Sequence, residues 1–107
     1  YNENLIKTAQ LTIPSTEVWA YSAFHLYVIS TSERDSLREF LTETGIQTGI
    51  HYPISLPKLK AYQYLNQHNE VFFANKNDRN LLSLPIGDHL DRLQTQLVVD
   101  KVNDFFA

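Results

Sequence analysis

The chain contains no cysteine, no methionine, only three glycines and no long apolar run. Lack of cysteine excludes disulfides and thiolate chemistry, and it fits a reducing compartment, so a cytoplasmic protein is expected. No stretch approaches the roughly 20 apolar residues that a membrane-spanning helix requires, and no membrane partner is expected. Nine basic residues face twelve acidic ones, for a net charge of −3. The basic residues are scattered, with Lys58 and Lys60 the closest pair, so no nucleic-acid footprint forms. So few glycines leave no phosphate-cradling loop, and no serine sits in a Gly-x-Ser-x-Gly elbow. The four histidines lack His-x-His or His-x-x-x-His spacing, and no metal site is expected. With no methionine, a first residue Tyr1 and a polar opening, Tyr1–Gln10 reads as the tail of a preceding helix in a longer polypeptide.

What is present suits one domain. A chain of 107 residues with 43% hydrophobic and 12% aromatic residues can bury a modest core. Extended segments are predicted near Leu11–Ile13, Ser22–Ser30, Ile46–His51 and Leu84–Ile86, and helices near Ser32–Thr44, Lys58–Leu65, Phe72–Leu82 and Asp91–Phe106. In Ser22–Ser30, Phe24, Leu26 and Val28 form one apolar face, and Ala23, His25, Tyr27 and Ile29 form a second, amphipathic one. Ser32 and Asp35 have the spacing of a capping box, as do Asp91 and Gln94. Leu37, Phe40 and Leu41 form a buried helical stripe, and Gly45 supplies the left-handed residue after it. The expected core is Phe24, Leu26, Val28, Leu37, Phe40, Leu41, Ile46, Ile50, Leu84, Val98, Val102 and Phe105. The fold class is α+β: a small antiparallel or mixed sheet covered by helices on one face.

Chemistry concentrates in Gly45–Pro53. Ile46, Thr48 and Ile50 alternate with Gln47, Gly49 and His51, as on a short strand. Gly49 permits a close approach, and Pro53 holds Tyr52 extended. An imidazole and a phenol therefore stand at a strand end. They either hydrogen-bond locally or present two polar groups to a ligand. His25, on the amphipathic strand face, and His89, after Gly87-Asp88, are weaker candidates. His68 lies in a polar turn. No lysine has a setting other than a polar or helical surface. The five aromatic residues Trp19, Tyr21, Tyr27, Tyr52 and Tyr62 are candidates for an apolar face that meets a partner domain or subunit.

Three motifs, in order, carry a resemblance: Gly45-Ile46-x-Thr48-Gly49-Ile50-His51-Tyr52-Pro53, the upstream His25-Leu26-Tyr27-Val28-Ile29, and the downstream Leu82-Ser83-Leu84-Pro85-Ile86-Gly87-x-His89-Leu90. Together they resemble the small C-terminal domain of the DegT/DnrJ/EryC1/StrS sugar aminotransferases, over about Leu11 to Phe106. One departure is clear. The family continues His-Tyr-Pro-x-Pro-Leu-His, whereas Ser55 and Pro57 stand here for the second proline and second histidine, so no role of that histidine carries over.

The resemblance implies an α+β domain like the C-terminal one of fold-type I aminotransferases. It also implies a parent enzyme that uses pyridoxal phosphate and an amino donor on a nucleotide-linked keto-sugar, as a homodimer. His51, Tyr52 and Pro53 would then bind substrate at the mouth of the active site. The cofactor lysine would lie in an N-terminal large domain absent from this chain, so neither a catalytic residue nor bound cofactor is expected in these 107 residues. The alternative is a free-standing binding or interaction module whose His51–Tyr52 pair holds a ligand without catalysis. The upstream reading frame distinguishes the two.

Overall fold

Strand β2 (Leu81–Leu84) pairs antiparallel with β1 (Tyr27–Ser30), with Tyr27 opposite Leu84 and Ser30 opposite Leu81. This is a computed structural model, and it describes residues 1–107. Single bridges extend the pair on both edges. Thr12 and Ser30 exchange backbone hydrogen bonds beside β1, and Gly49 and Ser83 do so beside β2. All four expected extended segments therefore take part, but only two reach ladder length. Helices α1 (Arg34–Glu43), α2 (Phe73–Asn77) and α3 (Arg92–Phe106) complete the α+β fold.

The helix ends carry the clearest local chemistry. At α3, Asp91 accepts from the Gln94 backbone N–H at 2.7 Å, while Gln94 accepts from the Asp91 N–H at 3.0 Å, so the expected capping box forms. At the end of α1, Gly45 takes φ +83°; its N–H donates to the Thr42 carbonyl, and that of Ile46 to the Leu41 carbonyl. These are the two bonds of a Schellman motif, closed by buried Leu41 and Ile46.

The start of α1 differs from expectation. Ser32 and Asp35 do not form a capping box. Buried Thr31 accepts from the Glu33 N–H instead, and Asp35 is drawn to Arg34 at 2.5 Å. Arg34 is itself buried and reaches the Leu81 carbonyl at 3.4 Å, which ties α1 to the start of β2.

Three expectations fail for tertiary reasons. The strand does not span Ser22–Ser30; it begins at Tyr27, after Phe24 takes a left-handed φ of +48°. Its core face is also the opposite one. Tyr27 and Ile29 are buried, Val28 is half-buried, and Phe24 and Leu26 are exposed. The amphipathic face also carries large apolar groups, Tyr27 and Ile29, and it wins because the Tyr1 ring, 4.7 Å from that of Tyr27, helps cover it. The helix expected at Phe72–Leu82 shrinks to α2, and Leu81 and Leu82 enter β2, which starts before the expected Leu84–Ile86 strand. Asn75 and Asp78 are occupied by hydrogen bonds to Ser55 and Lys58, and β1 claims the leucines. In place of a helix at Lys58–Leu65 there are 3-10 turns at Leu56–Lys58 and Lys60–Leu65.

The core gathers Leu37, Leu41, Ile46, Leu84, Val98 and Val102, as expected, with Leu5, Leu11, Tyr27, Ile29, Leu82 and Val99 added. Phe40, Ile50 and Phe105 pack at its margin, and the Phe40 and Phe105 rings meet at 5.6 Å between α1 and α3. The opening residues make one turn, with Asn4 and Leu5 donating to the Tyr1 carbonyl. Asn103 of α3 then clamps them through Ile6 N–H and the Asn4 carbonyl.

Two tests follow from these contacts. A methyl group on Gly45 meets nothing within 4 Å, so Gly45→Ala isolates the backbone effect and should destabilise by about 1–2 kcal/mol in a denaturant titration. The Asp78 carboxyl is pushed up by burial but more strongly held down by Lys58 and Ser55, and its pKa falls below the ordinary carboxylate value. A depressed folded pKa contributes stability above the unfolded value, and that stability is lost as pH falls through the folded one. Asp78→Asn should therefore lower the urea midpoint at neutral pH, and the gap from the parent protein should narrow in acid below the usual carboxylate range.

Candidate functional site

The site is built outward from the edge of β2. Ser83 donates its backbone N–H to Gly49 at 2.8 Å and accepts the Gly49 N–H at 3.0 Å. This pairing fixes the direction in which the chain leaves the sheet. Ile46 is buried and Thr48 and Ile50 half-buried, while Gln47 and His51 face solvent, so the expected alternation is present.

Two residues beyond Gly49, the His51 ring folds back over it. A Cβ at Gly49 would lie 2.5 Å from the ring Cε1 and 3.1 Å from Nδ1, a space that only glycine leaves free. Nδ1 lies 2.9 Å from the Ser83 hydroxyl. The Tyr52 ring stands edge-on to His51, 6.0 Å between centroids; it is 77% exposed, and its hydroxyl makes no hydrogen bond within the chain. Pro53 is exposed beside it.

The far side of the tripeptide is anchored as firmly. Ser55 is buried; its N–H donates to Asp78 at 3.1 Å, and its hydroxyl is 2.6 Å from the Asn75 side-chain oxygen. Lys58 reaches both Asp78 carboxylate oxygens, at 3.0 and 2.8 Å, and the Asn75 carbonyl. His51, Tyr52 and Pro53 thus project between two fixed points, Ser83 and the Asp78 network. Neither anchor was among the candidate residues. Ser83 stands in the downstream Leu82–Leu90 motif, but nothing in the sequence links its hydroxyl to His51.

The weaker candidates lie apart. His25 is exposed on the segment before β1 and makes no hydrogen bond. His89 repeats the local device of His51: its ring folds over Gly87, where a Cβ would lie 2.6 Å from Cε1. It lines a separate cleft of about 480 Å³ with Ile46, Gln47, Leu90 and Leu97. Neither histidine shares a hydrogen bond or ring contact with His51 and Tyr52.

The lysines fall into two groups. Lys58 is held by the Asp78 carboxylate and Lys101 by Asp104, while Lys7, Lys60 and Lys76 are exposed. No group of three or more histidine, aspartate or glutamate side chains converges as for a metal ion, and no helix is long and apolar enough to cross a membrane.

Of the five aromatic residues proposed for a partner-facing surface, Trp19 (84%), Tyr21 (97%) and Tyr52 are highly exposed, and Tyr62 is partly so. Tyr27 is not part of it: it is buried, with its hydroxyl on Asn2. Val18, Tyr64 and Phe73 add further exposed apolar area.

The sequence profile of the DegT/DnrJ/EryC1/StrS aminotransferase family matches residues 1–103. The chain is 41% identical over 93 residues to the erythromycin biosynthesis sensory transduction protein EryC1 of Saccharopolyspora erythraea, covering 86% of this chain and 25% of that protein. It is 37% identical over 97 residues to the dTDP-3-amino-3,4,6-trideoxy-alpha-D-glucose transaminase of Streptomyces venezuelae, covering 89% and 24%. The crystal structure of S. venezuelae DesV in complex with a ketimine intermediate superposes with a TM-score of 0.83 at 32% identity, over 90% of this chain and 26% of that one. The chain thus spans about a quarter of the length of these relatives. It belongs to the DegT/DnrJ/EryC1/StrS aminotransferase family.

Proposed function

We propose that this chain is the C-terminal, substrate-side part of a pyridoxal-phosphate-dependent aminotransferase that acts on a nucleotide-linked keto-sugar. The observation that carries the reading is the His51–Tyr52 pair. A tyrosine hydroxyl without an internal partner stands beside an imidazole already held from behind by Ser83. Two pre-positioned polar groups suit the orientation of a large, oxygen-rich substrate. The transaminase relatives named for dTDP-linked amino sugars agree with that substrate class.

In this reading His51 and Tyr52 hydrogen-bond sugar hydroxyls or phosphate oxygens, and Pro53 limits the swing of the segment. They orient the substrate and move no proton at the carbon that exchanges its amine. Pyridoxal phosphate would supply the amine-transfer chemistry from a large N-terminal domain that also carries the cofactor lysine. Because no lysine of this chain fits that role, no step is assigned to one. The exposed aromatic side chains Trp19, Tyr21, Tyr64 and Phe73 would pack against that large domain or against a second subunit of a homodimer. Tyr1–Gln10, expected as a helix tail, is not helical beyond one turn at Tyr1–Leu5, and that turn would end the helix that connects the domains.

In the intact enzyme, His51→Ala and Tyr52→Phe should each weaken nucleotide-sugar binding while the cofactor absorbance stays. The expected loss is about 0.5–1.5 kcal/mol for a hydrogen bond to a neutral group and about 1.5–3 kcal/mol for one to phosphate. Titration calorimetry measures it, and loss of the cofactor spectrum in the His51 variant would place this histidine on the wrong ligand. A second test uses the 107-residue chain alone. Incubated with pyridoxal phosphate, reduced with borohydride and weighed, it should show no stoichiometric adduct on a single lysine, and it should not transfer an amine.

A further inference from the structure

Ser83 lies on the face of β2 opposite Leu82 and Leu84, yet it is only 4% exposed. Its backbone N–H and carbonyl are both used by Gly49. Its hydroxyl has a single partner in the chain, Nδ1 of His51 at 2.9 Å. Burial strongly favours a hydroxyl that places its proton on an acceptor. The only acceptor in reach is that ring nitrogen, which can accept only when it carries no proton. The proton of the neutral imidazole then sits on Nε2, which has no partner within the chain.

Gly49 completes the arrangement. The ring reaches Ser83 by lying where a Cβ of residue 49 would be, 2.5 Å from Cε1. Backbone pairing of Gly49 with Ser83 keeps that space and the hydroxyl in register. Gly49 and Ser83 therefore act on His51 as one unit, one by making room and the other by holding the ring.

We propose that Ser83 is a positioning residue for His51: its hydroxyl donates to Nδ1, fixes the ring over Gly49 and leaves Nε2–H as a donor for an acceptor oxygen of the ligand. The role rests on the reading of His51 as a substrate-binding residue only for what Nε2–H meets. The tautomer and the ring orientation stand independently of it.

The test is nitrogen NMR on the protein labelled with 15N-histidine, with the His51 signals assigned by their loss in His51→Gln. The parent protein should show Nδ1 unprotonated, displaced to lower frequency by an accepted hydrogen bond, and a single side-chain rotamer. Ser83→Ala should lose the displacement and average the rotamers, and Ser83→Thr should restore both. Gly49→Ala, which keeps the hydroxyl, should displace the ring and lose the same signature. A parent protein with the proton on Nδ1, or a Ser83→Ala spectrum unchanged at His51, overturns the proposal. In the intact enzyme, a nucleoside diphosphate and the corresponding nucleoside diphosphate sugar are titrated separately. A His51 Nε2 shift with both assigns the acceptor to phosphate, and a shift with the sugar conjugate alone assigns it to a sugar hydroxyl. Ser83→Ala should then weaken the responding ligand by about twofold to tenfold. No response to either, with the Ser83-dependent signature intact, overturns the substrate-binding reading of His51 and leaves the positioning role standing.

Discussion

The structure depends on β2 being covered on all sides. Leu82 and Leu84 fill the core on one face, and Ser83 is buried on the other. One edge pairs with β1 and the other with Gly49. Arg34 from α1 reaches the carbonyl at its start, and the Tyr1 hydroxyl reaches Pro85 just past its end. A four-residue strand has few backbone bonds of its own, so its register is set by these neighbours. What lies next to it inherits that register, including the histidine whose ring meets Ser83.

Features with local causes could be read from the sequence. Asp91 with Gln94 and Gly45 after α1 act within a turn of the backbone, and both form as their chemistry requires. The Leu37–Leu41 stripe is equally plain, because a helix one-third apolar on a single face has one way to bury it. Features decided by competition could not be read. Residues 24–29 offer large apolar side chains on both faces, and the choice fell to the amphipathic one through contacts with Tyr1 and Asn2, far away in sequence. Leu81 and Leu82 continue a helical pattern, yet pairing with β1 claims them once Asn75 and Asp78 are engaged by Ser55 and Lys58. Ser32 is placed to cap α1, but the helix starts one residue later without a side-chain cap, and Thr31, fixed by its N–H bond to the Asn80 carbonyl, accepts the Glu33 N–H in the turn before it.

The candidate site divides in the same way. His51, Tyr52 and Pro53 are visible because an unusual sequence marks the end of an extended segment. Their supports are not, since Ser83 and Asp78 are 32 and 23 residues from the groups they hold. Nothing in the linear chain links either one to the segment it holds, although Ser83 stands in the Leu82–Leu90 motif. What makes each one part of the site is burial: leaving a hydroxyl or carboxylate unpartnered away from water is costly, and the available partner is the segment that carries the site.

Exposure on the same molecule argues from the opposite side. Burying a large apolar side chain contributes about 1.5–3 kcal/mol. Trp19, Tyr21, Tyr64 and Phe73 forgo most of that, although the chain has a well-formed core. Scattered apolar residues on a surface need no explanation, but highly exposed aromatics in this number favour a surface that is covered in the working protein. Tyr52 differs from the others because it is held beside a fixed imidazole, between anchored segments. A covering partner could bury the other aromatics with little demand on geometry. Around Tyr52 the restraint already present within the chain fits a ligand whose orientation matters, which is why the paired histidine and tyrosine, and not the larger apolar area, carry the functional reading.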